Sequence, residues 1–129
     1  MKITINQALE LLKNQFKALT VKGNYAYSSK VALSFRYSKL YIPQEIWWTG
    51  EFPERLNNSN YIIIALDSCG LLVLPSKIIR DYWTQFQVSS VKDGRKKIRI
   101  RLNNNEIELY NNSDQGVINV TQYLHKCDF

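Results

Sequence analysis

The hydrophobic positions of the chain change period several times, and each change marks an element. In "TINQALELLKNQFKAL" Ile5, Leu9, Leu12, Phe16 and Leu19 recur at spacings of three and four, with Glu10, Lys13, Asn14 and Lys17 between them. That is the period of an amphipathic helix. Thr4 followed by Gln7 forms a T-x-x-Q capping box at its start, and the helix is expected to end near Leu19, ahead of the Gly23-Asn24 turn signal. The period then drops to two. In "KVALSFRY" Val31, Leu33 and Phe35 alternate with Lys30, Ala32, Ser34 and Arg36, which predicts a half-buried strand. Pro43 breaks the pattern, and "IPQEIWWTGEFPERLNNSN" reads as irregular apart from a short strand over Ile46 to Thr49.

Two runs are apolar at every position. "YIIIALD" and "LLVL" flank "SCG", whose Gly70 can take a positive φ, so the pair predicts a hairpin at the centre of the core. Pro75 and Ser76 then open a second helix over Lys77 to Gln85, with Ser76 as N-cap and Ile78, Ile79, Tyr82 and Trp83 as its apolar stripe. "FQVSSV" predicts a short strand. "KKIRIRL", "NNN" and "EIELYNN" read as a second hairpin with an Asn-rich turn, Ile107 and Leu109 alternating with Glu106, Glu108 and Tyr110. "NVTQYLHK" reads as a short final helix capped by Thr121. No repeat, linker or low-complexity block divides residues 1–129. The pattern predicts a single α+β domain with about three helices and a mainly antiparallel sheet, for which a barrel-like closure is one form.

Composition sharpens this picture in one respect. At 129 residues, 45% hydrophobic and 22% charged, the chain is an ordinary globular domain able to bury a core without metal or disulfide. Its formal charge of +6, with a pI near 9.4, points to a polyanionic partner, nucleic acid above all. The two cysteines, Cys69 and Cys127, are too sparse for an oxidised scaffold and read as free thiols of a cytoplasmic protein. The first residues lack the apolar core of a signal peptide, and no apolar run approaches the ~18 residues of a membrane span.

The charge is concentrated. In "KDGRKKIRIRL" Lys97, Arg99 and Arg101 alternate with Ile98, Ile100 and Leu102, so the cations share one face and the apolar residues share the other. Arg95 and Lys96 stand at the start of the strand. Such a ribbon can run along phosphates or enter a major groove. Glu106 and Glu108 on the partner strand can pair with part of this charge, but two carboxylates leave an excess among five cations. The second candidate is "WWTGEF". Adjacent tryptophans on a strand face opposite ways, so one of Trp47 and Trp48 is available to stack on a base while the other covers the core edge. Tyr25, Tyr27, Tyr37 and Tyr41 add further aromatic candidates.

Catalytic and metal chemistry is thinly represented. Asp67 ends a core strand, where a nuclease of the PD-(D/E)xK type places a metal-binding acid, but the position two before Lys77 is Pro75 rather than an acid. His125 is the single histidine, no C-x-x-C occurs, and phosphate-cradling glycine motifs are absent, so no catalytic residue, metal or cofactor is assigned.

Val31, Leu33, Ser34, Phe35 and Tyr37, a V-x-L-S-F-x-Y strand inside "YSSKVALSFRYSKLYIPQEIWWTGEF", carry a resemblance. The segment resembles the N-terminal DNA-recognition domains of McrB-like, nucleotide-dependent restriction systems. The resemblance implies DNA binding, in some members with a base flipped into an aromatic pocket, beside a separate motor or nuclease domain or subunit. Together the features predict a non-enzymatic DNA-binding specificity module of a restriction or defence system, with duplex DNA as partner. Arg95, Lys96, Lys97, Arg99 and Arg101 would engage phosphates, and Trp47 and Trp48 bases. The alternatives are a protein-interaction module meeting an acidic partner and, with less support, a nuclease.

Overall fold

The computed structural model describes residues 2–23, 25–40, 46–51, 53–68, 70–90, 94–110 and 118–126. Three helices are found among them: α1 (Ile5–Gln15), α2 (Pro53–Asn58) and α3 (Ser76–Asp81). The strands are β1 (Thr20–Lys22), β2 (Tyr25–Tyr27), β3 (Ala32–Ser38), β4 (Ile46–Glu51), β5 (Tyr61–Leu66), β6 (Gly70–Pro75), β7 (Gln87–Ser90), β8 (Arg95–Asn103), β9 (Glu106–Tyr110), β10 (Ile118–Asn119) and β11 (Leu124–Lys126). They form two sheets. The first runs β1-β2-β3-β5-β6-β11; the second runs β10-β9-β8-β4, with β7 also paired to β8. Neither closes on itself, so the barrel form is not adopted. The pairing is antiparallel except between β3 and β5, whose parallel register joins Leu33 to Tyr61 and Ser38 to Leu66.

The molecule has three layers: α1, the first sheet, and the second sheet. The alternation along β5 and β6 shows why both runs are apolar throughout. Ile62, Ile64, Leu66, Leu72 and Leu74 pack with Trp47, Ile98, Ile100, Ile107 and Leu109 in the core between the sheets. Ile63, Ala65, Leu71 and Val73 pack with Leu33, Phe35, Ala8 and Leu12 beneath α1. A strand covered on both faces has no polar set to alternate with. The same holds for β3, which is central rather than half-buried: Leu33, Ser34 and Phe35 are all buried.

The capping box at α1 forms in full. Gln7 N–H donates to Thr4 Oγ1 at 3.1 Å, and Thr4 N–H donates to Gln7 Oε1 at 2.9 Å. The helix stops at Gln15, short of Leu19, because Phe16 is already extended and Ala18 takes the left-handed region at φ 59° to turn the chain into β1. Ile5 is exposed. Ile3 fills the core in its place, its N–H held by the Asp67 carbonyl at 2.6 Å.

Two other expectations change. The helix expected over Lys77 to Gln85 is α3, which ends at Asp81 and is followed by a 3-10 turn over Trp83–Gln85. Ser76 is its first residue rather than its cap; its hydroxyl accepts from Arg80 Nη1 at 2.9 Å. The terminal segment forms β10, a 3-10 turn at Thr121–Tyr123 and β11, instead of a helix. Thr121 Oγ1 is drawn away from capping by the Ile107 N–H, which donates to it at 2.9 Å, and Asn119 Oδ1 accepts from Thr121 N–H at 3.0 Å.

Candidate nucleic-acid interface

The outer surface of the second sheet is built around β8. Asn104 and Asn105, at φ 52° and 65°, supply the two positive-φ residues of a two-residue hairpin turn between Asn103 and Glu106. That turn fixes the register, and the register fixes the faces. Ile98 and Ile100 are fully buried against the first sheet. Lys97, Arg99 and Arg101 therefore project outward, together with Arg95. Leu102 departs from the expected pattern and is 50% exposed: the β4 pairing ends at Arg101, so the sandwich does not reach it.

Lys96 follows the inward parity. It pairs in register with the buried Glu51, its Nζ donates to the Trp83 carbonyl at 2.9 Å, and it stands 5.5 Å from the Trp83 ring centroid. It belongs to the end of the sandwich, away from the cationic face.

The register with β4 decides between the two tryptophans. Trp47 lies opposite Ile100 and is 2% exposed, its indole N–H donating to Asp67 Oδ1 at 3.1 Å. A base contact by Trp47 is thereby ruled out in this fold. Trp48 lies opposite Arg99, half-buried on the outer face. Its N–H donates to Ser38 Oγ at 3.2 Å, and the Ser38 hydroxyl donates to its carbonyl at 3.1 Å. Because these backbone groups point away from β8, Trp48 and Arg99 form a non-hydrogen-bonded pair, the closer of the two antiparallel spacings.

On its other side Arg99 lies opposite Tyr110 of β9, so Trp48, Arg99 and Tyr110 make one row across three strands. The neighbouring cations lean on the same rings. Lys97 Nζ is 4.4 Å from the Trp48 centroid, and the Arg101 guanidinium carbon is 4.8 Å from that of Tyr110. Arg101 Nε also donates to Glu108 Oε1 at 2.9 Å, beside Asn103 Nδ2 at 3.3 Å. Glu106 Oε2 accepts from Asn119 Nδ2 at 2.6 Å. Gly50 completes the surface. A methyl group there would stand 2.8 Å from Arg95 Cδ, so the missing side chain lets Arg95 lie across β4.

Reading the chain alone did not single out Tyr110 or Gly50. The signal for Tyr110 was its alternation with Glu106 and Glu108; for Gly50 there was none before the β4–β8 register was known.

Of the other aromatic candidates, Tyr25 and Tyr27 are exposed on the β1–β2 hairpin and help line a surface groove of about 400 Å³ with Lys22, Ala26 and Ala32. Arg55 stacks on Tyr25 at 5.1 Å and donates from Nε to its hydroxyl at 3.2 Å. Tyr37 faces the α1 layer and donates to the Ile3 carbonyl at 2.6 Å. Burial, and secondarily the negative charge of Asp67, hold the Tyr37 phenol above its ordinary pKa. Tyr41 lies outside the described residues.

Asp67 is 1% exposed and its carboxylate oxygen Oδ1 is taken by Trp47, by the Leu40 N–H at 3.1 Å and by Ser68 Oγ at 3.3 Å. That is a structural acceptor's environment. Among the described residues no three His, Cys, Asp or Glu side chains group as metal ligands, and no helix is long and apolar enough to cross a membrane. His125 is exposed on β11, while Cys69 and Cys127 lie outside the described residues.

The fold and this face define a three-layer α+β domain with an aromatic, cationic sheet surface. No known protein family, curated protein or solved structure matches the chain.

Proposed function

We propose that this domain binds DNA without cutting it, laying the outer face of its second sheet along the phosphate backbone. The observation that carries the reading is the set of four cations, Arg95, Lys97, Arg99 and Arg101, at alternate positions of one strand. They share their face with two carboxylates, Glu106 and Glu108, and with Trp48 and Tyr110. Cations so clustered attract a polyanion, and each phosphate neutralised adds salt-dependent affinity. Lys96 and Trp47, turned inward, support the fold instead, and Tyr110 takes the place of Trp47 among the contact residues. The V-x-L-S-F-x-Y resemblance supports a specificity role beside a motor or nuclease in a restriction or defence system. Its Leu33, Ser34 and Phe35 are buried, so it bears on the scaffold rather than on the contact surface. The sparse cysteines fit a cytoplasmic setting.

Fluorescence anisotropy with labelled oligonucleotides tests this directly. Contact with three or four phosphates gives log K falling against log salt with a slope of about −3 to −4. Absence of binding to any strand at low salt would remove the reading. Plasmid incubated with Mg²⁺ or Mn²⁺ should stay intact; cleavage lost in Asp67→Asn would make the protein a nuclease. One observation favours a second reading. Trp48, Arg99 and Tyr110 side by side are also the composition of a protein-binding hot spot. Displacement of bound DNA by polyglutamate at equal charge would favour that acidic partner.

A further inference from the structure

The cationic strand cannot act as a free ribbon. β4 pairs with β8 from Lys96 to Arg101, while β7 and β9 share its other edge, so Lys97, Arg99 and Arg101 each have a neighbouring strand on both sides and Arg95 has β7 on one. Strands stand about 4.8 Å apart, so β4, β8 and β9 span roughly 10 Å between outer axes before any side chain is added. A B-form major groove is only about 12 Å wide and admits a helix or two strands. The one part of the hairpin that extends past β4 is its tip. There the chain carries Leu102, Asn103, Asn104, Asn105 and Glu106, all exposed and none cationic. A duplex could therefore meet this surface only along its phosphate rim, where Trp48 and Tyr110 would have nothing to do.

The face has the parts that an unpaired strand needs. Trp48, Arg99 and Tyr110 present three planar groups in one cross-strand row, two of them aromatic, with Lys97 and Arg101 on either side of the row. Bases stack on aromatic rings and guanidinium planes with little regard to sequence, and adjacent cations follow the backbone.

Resting on the DNA-binding reading, we infer that the ligand is single-stranded DNA, held by base stacking at Trp48 and Tyr110 and by phosphate contacts from Arg95, Lys97 and Arg99. The strand crosses β4, β8 and β9 instead of following one groove.

The test compares three probes of equal length on the whole chain at one salt concentration: a dT 15-mer, an abasic 15-mer with the same phosphates, and a 15-base-pair duplex. The dT strand is expected to bind at least tenfold more tightly than either of the others. Tyr110→Ala and Trp48→Ala should each remove most of the gap between the dT and abasic strands. Trp48→Phe guards against a folding defect, since it keeps a ring and should retain the gap. It should also abolish the tryptophan quenching that dT, but not the abasic strand, produces. Duplex binding as tight as dT, or abasic binding as tight as dT, would overturn the single-strand inference and leave DNA binding standing. If none of the three probes binds, both fall.

Discussion

Asp67→Ala isolates what the buried carboxylate does. Its Oδ1 accepts three hydrogen bonds, from the Trp47 indole, the Leu40 N–H and the Ser68 hydroxyl. Trp47 and Asp67 are 2% and 1% exposed, so water cannot take over without opening the core. Leaving a buried donor unsatisfied costs about 1–3 kcal/mol; after the substitution this falls in full on the Trp47 indole and in part on the half-buried Leu40 N–H, since the Ser68 hydroxyl can rotate away. The expected loss is therefore about 2–4 kcal/mol, a large part of the roughly 5–15 kcal/mol that holds a domain of this kind together. Asp67→Asn keeps an oxygen where the donors converge and should lose only about 1–2 kcal/mol. Trp47→Phe removes one donor to the buried carboxylate and vacates core volume, so it should cost more than the asparagine variant. Urea unfolding followed by tryptophan fluorescence gives all three values, with an unchanged denaturant slope confirming a common transition. Asp67→Ala within about 1 kcal/mol of the parent would refute the reasoning, as would an asparagine variant as damaged as the alanine one.

The Tyr37 phenol predicts a loss of stability at alkaline pH. Its folded pKa is raised by burial and by Asp67, so the unfolded chain releases the proton first as pH climbs past about 10 and the equilibrium shifts toward unfolding. Urea midpoints between about pH 8 and pH 11 should fall in the parent and fall less in Tyr37→Phe. Arg101→Glu should cost about 1–2 kcal/mol, because the new carboxylate meets Glu108, whose side chain is only 13% exposed. Lys97→Glu, which loses a contact with Trp48, should cost under about 1 kcal/mol; thermal melts of the pair check the order, and Lys97→Glu with Arg99→Glu is then the charge reversal to use in DNA binding. Ile100→Asp places a charge at a fully buried position and should abolish cooperative unfolding by circular dichroism, whatever the state of the DNA-binding face.

Local rules made much of this architecture legible. The capping box of α1, the apolar runs of β5 and β6 and the alternation in β8 each express one physical requirement within a few residues. What escaped depends on partners far along the chain. Trp47 and Trp48 are equivalent until Ile100 and Arg99 lie opposite them. Lys96 reads as part of the basic face until its strand parity is anchored by Glu51 across the ladder. Thr121 resembles a helix cap until the Ile107 N–H arrives to take its oxygen. The half-buried reading of β3 failed for a related reason: serine at Ser34 looks solvent-facing, whereas it hydrogen-bonds the buried Glu51 at 3.3 Å, and Ser38, just past the predicted strand, ties down Trp48. Polar side chains used inside a fold look like surface until their partners are known. For the same reason α2 and the parallel β3–β5 pairing, which depends on the crossover through β4, could not be seen locally.

That crossover has a wider consequence. The chain visits the first sheet in β1–β3, leaves for β4, returns for β5 and β6, departs again for β7–β10, and comes back with β11. Like thread through two pieces of cloth, it crosses the same gap four times. A single proteolytic cut in any one connection would leave the sheets still sewn together by the others, and no contiguous half of the sequence contains a whole sheet. Splitting the protein into two fragments should therefore yield pieces that remain unfolded alone and regain structure only when mixed.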